Sequence, residues 1–330
     1  MREKNIVTIG GGSGQFVLLS GLREIADFEI TSVVSMVDSG GSTGRLRGEL
    51  GILPPGDLLK CVLALSPHQE LARVILLKRF SRDRRLSGHN AGNMLLTMLS
   101  RYTGSFPRGI LALSEILDVR GTILPVTIDE ATLVAELTDG TRVFGEKAID
   151  IPRGNQREKI EDVFLVPHHS DTVKVYPPVI EAIEAADFIV LGPGDLFTSI
   201  IPNLVVPGVA EALRRAKAPL IYVLSLMTKY GETHAFTPRS FVSELETALG
   251  CRLDGVIANI SEPTPDLMNR YAEQKAFLVK VDTEDEWFKE RRVYTADLLD
   301  QSGGILRHHP EKLASLIRDI AHAPPARPLS

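Results

Sequence analysis

Ile6-Val7-Thr8-Ile9-Gly10-Gly11-Gly12-Ser13-Gly14, followed by a run of helical period over Gln15–Ala26, decides how this chain folds. Four largely apolar, β-branched residues predict a short strand, and the glycines then let the backbone turn sharply into a helix. The same rhythm recurs along the chain. Ile30–Val37, Phe188–Leu191, Leu220–Leu224, Gly255–Ala258 and Phe277–Val281 read as further strands. Leu58–Leu65, Leu71–Phe80, Gly92–Tyr102, Pro178–Ala186, Gly208–Ala216, Arg239–Leu249 and Pro310–Ala321 read as helices. Alternation of this kind predicts an α/β fold with a doubly wound, mainly parallel sheet, whose ligands gather outside the carboxyl ends of the strands.

Residues 121–167 depart from that rhythm. Thr132–Leu137, Asp139-Gly140 and Thr141–Phe144 predict a hairpin on a type I′ turn, and Asp162–Val166 predicts another strand. We expect a small β-rich insertion at about 121–167 within one domain spanning residues 1–322. The proline-rich end, 323–330, is expected to fray.

Composition supports a folded protein and excludes several classes. Of the 330 residues 44% are hydrophobic and 24% charged, enough for a sizeable core. The 37 basic and 42 acidic residues give a net charge of −5, which argues against a nucleic-acid clamp. The basic cluster Lys78–Arg85 reads as a solvated helix end. Four apolar residues before Gly10 are too few for a signal-peptide core or a membrane span. Cys61 and Cys251 form no CxxC pattern, consistent with buried thiols in a reduced, cytoplasmic protein. His168-His169 and His308-His309 are adjacent pairs, whose side chains are expected on different faces, so no metal centre is predicted from them.

Candidate site residues cluster at the ends of the predicted strands. Gly10–Gly14 offers close backbone approach and a helix start, which suits a diphosphate, although position 15 is Gln15 where a dinucleotide fingerprint has its third glycine. After the next strand comes Asp38-Ser39-Gly40-Gly41-Ser42-Thr43-Gly44-Arg45-Leu46-Arg47. Asp38 stands where a nicotinamide enzyme keeps its ribose-binding acid, but the following glycines with Arg45 and Arg47 read as an anion cradle. Gly40–Gly44 also fits GxSxG; a nucleophile role for Ser42 is disfavoured because no helix is expected to start directly after it and no histidine partner is marked. Pro54-Pro55-Gly56-Asp57 opens a helix. There Asp57 is either an N-cap or, with Asp38, a ligand for Mg²⁺, a cation that prefers carboxylate oxygen. His89 and Asn93 in Gly88–Asn93 suit either a polar ligand or a helix cap. Gly192–Ile200 and Met227–Thr233 complete the set.

Seven ordered motifs, GGGSG at Gly10, DSGGSTGRLR at Asp38, LPPGD at Leu53, GHNAGN at Gly88, GPGDLFTSIIPNL at Gly192, MTKYGET at Met227 and LRHHPEKLA at Leu306, resemble the gluconeogenesis-factor (YvcK-like) family. That family sits within the CofD-like 2-phospho-L-lactate transferases. The resemblance implies a Rossmann-like core binding a nucleotide diphosphate and, in this branch, a cytoplasmic regulator that binds UDP-N-acetylglucosamine and maintains cell shape and wall on gluconeogenic carbon sources. We expect ligand contacts from Gly11, Gly12, Ser13, Gly14, Asp38, Gly40, Gly41, Arg45, Asp57, His89, Asn93, Gly192, Gly194, Thr198, Ser199, Asn203, Thr228, Glu232 and Thr233; the resemblance implies that the glycine loops and Asn203 line one cleft, with Tyr271 and Arg307 as nucleotide-sugar contacts. The alternative is a Mg²⁺-dependent transferase with Asp38 and Asp57 as its catalytic candidates. A homodimer is a candidate assembly. The chain departs from the family pattern at Ser39, where an acid is usual, at Leu59-Lys60, at Asp195, and at Lys229-Tyr230.

Overall fold

A computed structural model describes residues 3–81, 86–152, 157–282 and 284–323. Residues 82–85 of the basic cluster and 324–330 of the expected frayed end lie outside them. The chain opens with β1 (Lys4–Gly10), α1 (Gly12–Leu22) and β2 (Phe28–Val34). Five helices follow: α2 (Gly41–Leu50), α3 (Gly56–Leu65), α4 (Gln69–Leu76), α5 (Ala91–Tyr102) and α6 (Phe106–Ile116). They lead to β3 (Thr122–Pro125). The insertion then comprises β4 (Ala131–Leu137), β5 (Arg142–Phe144), α7 (Glu146–Asp150) and β6 (Ile160–Pro167). After α8 (Pro177–Ala185) and β7 (Phe188–Leu191), a π-helical turn, Leu196–Ile200, runs into α9 (Ile201–Leu204). The remainder is α10 (Val209–Arg215), β8 (Leu220–Val223), α11 (Pro238–Leu249), β9 (Gly255–Asn259), α12 (Pro265–Glu273), α13 (Glu286–Lys289), β10 (Val293–Ala296), β11 (Leu299–Asp300), β12 (Arg307–His308) and α14 (Pro310–His322).

Seven strands form one sheet in the order β10-β9-β8-β7-β1-β2-β3, every pairing parallel. This is the doubly wound arrangement expected, extended by one strand. All residues of β7, β8 and β9 are buried, which is why they read as continuous apolar runs rather than as alternating patterns. Gln15 owes its place to the same sheet. Fully buried on α1, its Nε2 donates to Thr8 Oγ1 (2.6 Å) on β1 and to Ser32 Oγ (3.0 Å) on β2. The residue that breaks the dinucleotide fingerprint thus joins helix to sheet through polar contacts, where a glycine would pack closely.

Four expectations need correction. Phe277–Val281 is not a strand: it makes one isolated bridge, Leu278 to Met227, and the edge strand is the half-polar β10. Residues 122–125 belong to the main sheet as β3, so the insertion sheet begins at β4. Its hairpin turn is not type I′. Gly140 N donates to Leu137 O (2.8 Å) and Leu137 N to Thr141 O (2.9 Å), with positive φ at Gly140 (81°). That is a three-residue loop in which glycine takes the left-handed position after a type I turn. Finally, a helix does start directly in the glycine-rich loop after β2: α2 begins at Gly41, held by burial of Ser42, Thr43 and Leu46 rather than by helix propensity.

Candidate functional site

In a doubly wound sheet the strand order reverses at one point, and the loops there diverge to leave a crevice. Here that point lies between β1 and β7. The loops that follow these two strands touch. A Cβ on Gly14 would collide with Pro193 O, one on Gly12 would lie 3.4 Å from Ser199 Oγ, and one on Gly194 would lie 3.6 Å from Gly11 O. Asn203 Nδ2 donates to Ser199 O (2.8 Å) and lies 3.4 Å from Gly10 O, pinning α9 under both loops. Gly11, Gly12, Ser13, Gly14, Gly192, Gly194, Ser199 and Asn203 are therefore one assembly. Asn203, fully buried, serves it as a brace.

Beside this crossing opens a cleft of about 720 Å³, lined among others by Ser13, Gly14, Gly194, Thr228, Lys229, Tyr271 and Arg307. Tyr271 Oη accepts the amide of Leu306 (3.0 Å), fixing the ring next to the exposed Arg307. Thr228 Oγ1 accepts Phe277 N (2.9 Å), so this hydroxyl orders the cleft wall.

Asp38 and Asp57 converge beside the glycine loops after β1 and β2. A Cβ on Gly11 would lie 2.9 Å from Asp57 Oδ2, and one on Gly40 would lie 3.3 Å from Asp38 Oδ1. Asp38 accepts the Gly40 amide (2.8 Å), yet burial and then the nearby Asp57 charge push its carboxyl above the usual range. Asp57 pairs with Lys60 (2.8 Å). Burial opposes the Lys60 charge, but Asp57 and Asp38 outweigh it and hold the ammonium above its ordinary pKa.

A third carboxylate, not singled out from sequence, joins them. Glu146 opens α7 in the insertion and is pushed up to about 7 by burial and by Asp38. The contact depends on Ser39. Its amide donates to Glu146 Oε2 (3.3 Å) and its Oγ accepts the Lys147 amide (3.0 Å), so Ser39 docks α7.

The far end of α7 reaches a second charge cluster. Lys229 Nζ contacts Asp150, lies 2.7 Å from Asp195 Oδ2, and lies 3.1 Å from Glu232 Oε1. Asp195 therefore does not leave bare negative charge beside the glycine loop. Glu232 is buried, braced by Thr198 Oγ1 at 3.3 Å, and pushed up to about 8 by burial and by Asp195 despite Lys229. Thr233 Oγ1 accepts the Lys229 amide (3.0 Å). Asp150, Asp195 and Glu232 have the spacing of a cation site, and the Lys229 ammonium is the cation they hold.

The remaining candidates build the loop after β2. Arg45 donates to Ser87 O, while Arg47 donates to Ala131 O (2.8 Å). A Cβ on Gly41 would lie 3.6 Å from the Arg79 guanidinium. Ser42 does have a histidine neighbour, contrary to expectation: its Oγ lies 3.0 Å from His89 Nδ1, with both residues buried. The cap of α5 is Asn90, whose Oδ1 accepts the Asn93 amide (2.7 Å); neither His89 nor Asn93 fills that role. The Asn93 side chain instead reaches toward Thr43 Oγ1 at 3.5 Å.

Among the described residues no single helix is long and apolar enough to cross a membrane, and the bent pair Leu196–Leu204 with Val209–Arg215, which has the length and composition only when the two are joined, is mostly buried in the core. Sheet order and crossing loops define a Rossmann-like α/β protein with its cleft at the switch point. The chain belongs to the CofD family: the model of "2-phospho-L-lactate transferase CofD" matches residues 6–299. A putative gluconeogenesis factor of Thermotoga maritima is 39% identical over 96% of this chain and 99% of its own. The gluconeogenesis factor of Bacillus subtilis is 36% identical over 97% and 98%. A crystal structure of a Bacillus halodurans protein of the UPF0052 family superposes with a TM-score of 0.89 at 36% identity, covering 96% of this chain and all of that one.

Proposed function

We propose that this protein is a cytoplasmic regulator that binds a nucleotide sugar of the UDP-N-acetylglucosamine type, and that through it the cell maintains its shape and wall on gluconeogenic carbon. The contact between the β1 and β7 glycine loops at the switch point, beside a cleft of about 720 Å³, carries this reading. Backbone amides at the start of α1 suit a diphosphate. Tyr271 offers a face to a base and Arg307 a planar fork to phosphate oxygens. The test is calorimetric titration with UDP-N-acetylglucosamine alongside thermal unfolding. Saturable binding with a rise in Tm is expected, and no stabilisation at millimolar ligand refutes it.

The meeting of Asp38, Asp57 and Glu146 favours a second reading, a Mg²⁺-dependent phosphotransferase of the CofD type. The donor set fits a hard divalent cation: all are carboxylates, and Asp38 is pushed up first by burial and then by the Asp57 charge beside it. Asp38 and Asp57 would hold the ion, which when bound polarises phosphoryl oxygens as a Lewis acid. Lys60 holds the Asp57 carboxylate in place, and the Gly40 amide orients Asp38. Metal-dependent release of nucleoside monophosphate with a deazaflavin acceptor is the expected activity. An Asp57→Ala variant as active as the parent refutes it.

A further inference from the structure

One end of the insertion sheet carries side chains that take no part in the cleft. Glu130 immediately precedes β4, and His168 and His169 follow β6. The pairing of Ala131 with Pro167, and the bond from His168 N to Glu130 O (2.9 Å), bring the three residues together. Glu130 Oε2 lies 3.5 Å from His168 Nδ1 and 3.6 Å from His169 Nε2. Neighbours on a strand face opposite ways. The chain leaves β6 at Pro167, however, so the histidine pair escapes that rule and its rings stand edge to face with centroids 6.0 Å apart.

We propose that Glu130, His168 and His169 form a binding site for a divalent transition metal, Zn²⁺ foremost. Tetrahedral zinc holds nitrogen and oxygen ligands at about 2.0–2.2 Å, which puts neighbouring donor atoms about 3.3–3.6 Å apart. The two carboxylate-to-imidazole separations are close to that edge length and too long for hydrogen bonds. All three donor atoms lie within 4.8 Å of one another, so small side-chain rotations close the set. Two imidazoles and one carboxylate select zinc, copper or nickel over magnesium or calcium. The other nitrogen of His168 is already placed: Nε2 lies 2.8 Å from Thr132 Oγ1 on β4. When that hydroxyl accepts Nε2–H, the Nδ1 lone pair faces the site, as the outer contacts of ligating histidines arrange. His169 is 79% exposed, leaving the fourth position open to water.

The experiment is calorimetric titration of ZnCl2 into the full-length, untagged, chelator-treated protein, with MgCl2 in parallel. One zinc per chain is expected, with affinity reduced at least tenfold by His169→Ala and unchanged by Asp38→Asn. His169 is exposed enough that its loss leaves the fold intact, and an unaltered Tm without metal verifies this. His168→Ala is expected to weaken zinc to the same extent. Zinc affinity unmoved by His169→Ala, affinity lost with Asp38→Asn, or an equal response to magnesium overturns the proposal.

Discussion

Replacing Lys229 with Met removes the ammonium that Asp150, Asp195 and Glu232 share, while keeping the length of the side chain. Breaking a buried ion pair from one side typically costs about 3–5 kcal/mol. At neutral pH the loss here is smaller. Asp150 and Asp195 are 27% and 46% exposed and can turn to water. Glu232, pushed up to about 8, still carries its proton at pH 7 in the parent, so the variant strands no new buried charge there. About 1–2 kcal/mol is expected at pH 7. The sign at higher pH follows from linkage. Because the folded pKa of Glu232 lies above its unfolded value of about 4.3, the parent loses stability as pH rises from about 4.3 to 8 and then levels off. Without Lys229 the carboxyl holds its proton further up the scale, so the variant goes on losing stability. The gap between the two proteins should widen by up to about 1.4 kcal/mol per unit above pH 8. Urea unfolding of both proteins at pH 7 and pH 9 measures it. A gap no larger at pH 9 than at pH 7 refutes the assignment of Glu232 as the group that Lys229 allows to ionise.

Gly14→Ala drives a methyl group into Pro193 O and must spread the loops after β1 and β7, so affinity for UDP-N-acetylglucosamine in calorimetry should fall at least tenfold; parent affinity would show that the crossing does not shape the cleft. Arg307→Ala removes an exposed side chain from the cleft rim, so unliganded Tm should stay put while the ligand-induced rise disappears, which parallel thermal melts would show. Glu146→Gln keeps an acceptor for the Ser39 amide but removes a carboxylate pushed up to about 7. Ionising Glu146 destabilises the fold as pH rises from about 4.3 to 7, so the variant should be about 1–2 kcal/mol more stable than the parent at pH 8 and closer to it at pH 5, by urea unfolding.

Local chemistry made much of the fold legible. Phe188–Leu191 is a strand with the bounds expected from its apolar run, and α5 starts within one residue of its expected position. The failures are instructive because propensity and partner disagree. Phe277–Val281 has strand composition but only a single bridge, whereas Val293–Ala296, short and half-polar, has β9 to pair with in parallel register. α2 reads as a loop because Gly41, Gly44 and Gly48 disfavour a helix, and packing overrules them.

Glycine placement and apolar periodicity in the amino-acid sequence alone determined where strands end and helices begin, and hence that the glycine loops gather at one edge of a parallel sheet. Both signals are local, since backbone freedom and side-chain period act over a few residues. Which loops meet is a matter of strand order, and only the tertiary structure set β1 beside β7 and so joined Gly14 to Pro193. It also laid α7 between two charge clusters, with Glu146 at one end facing Asp38 and Asp150 at the other facing Lys229. Those partners are brought together across long stretches of chain by the docking of the insertion, and no residue spacing records it.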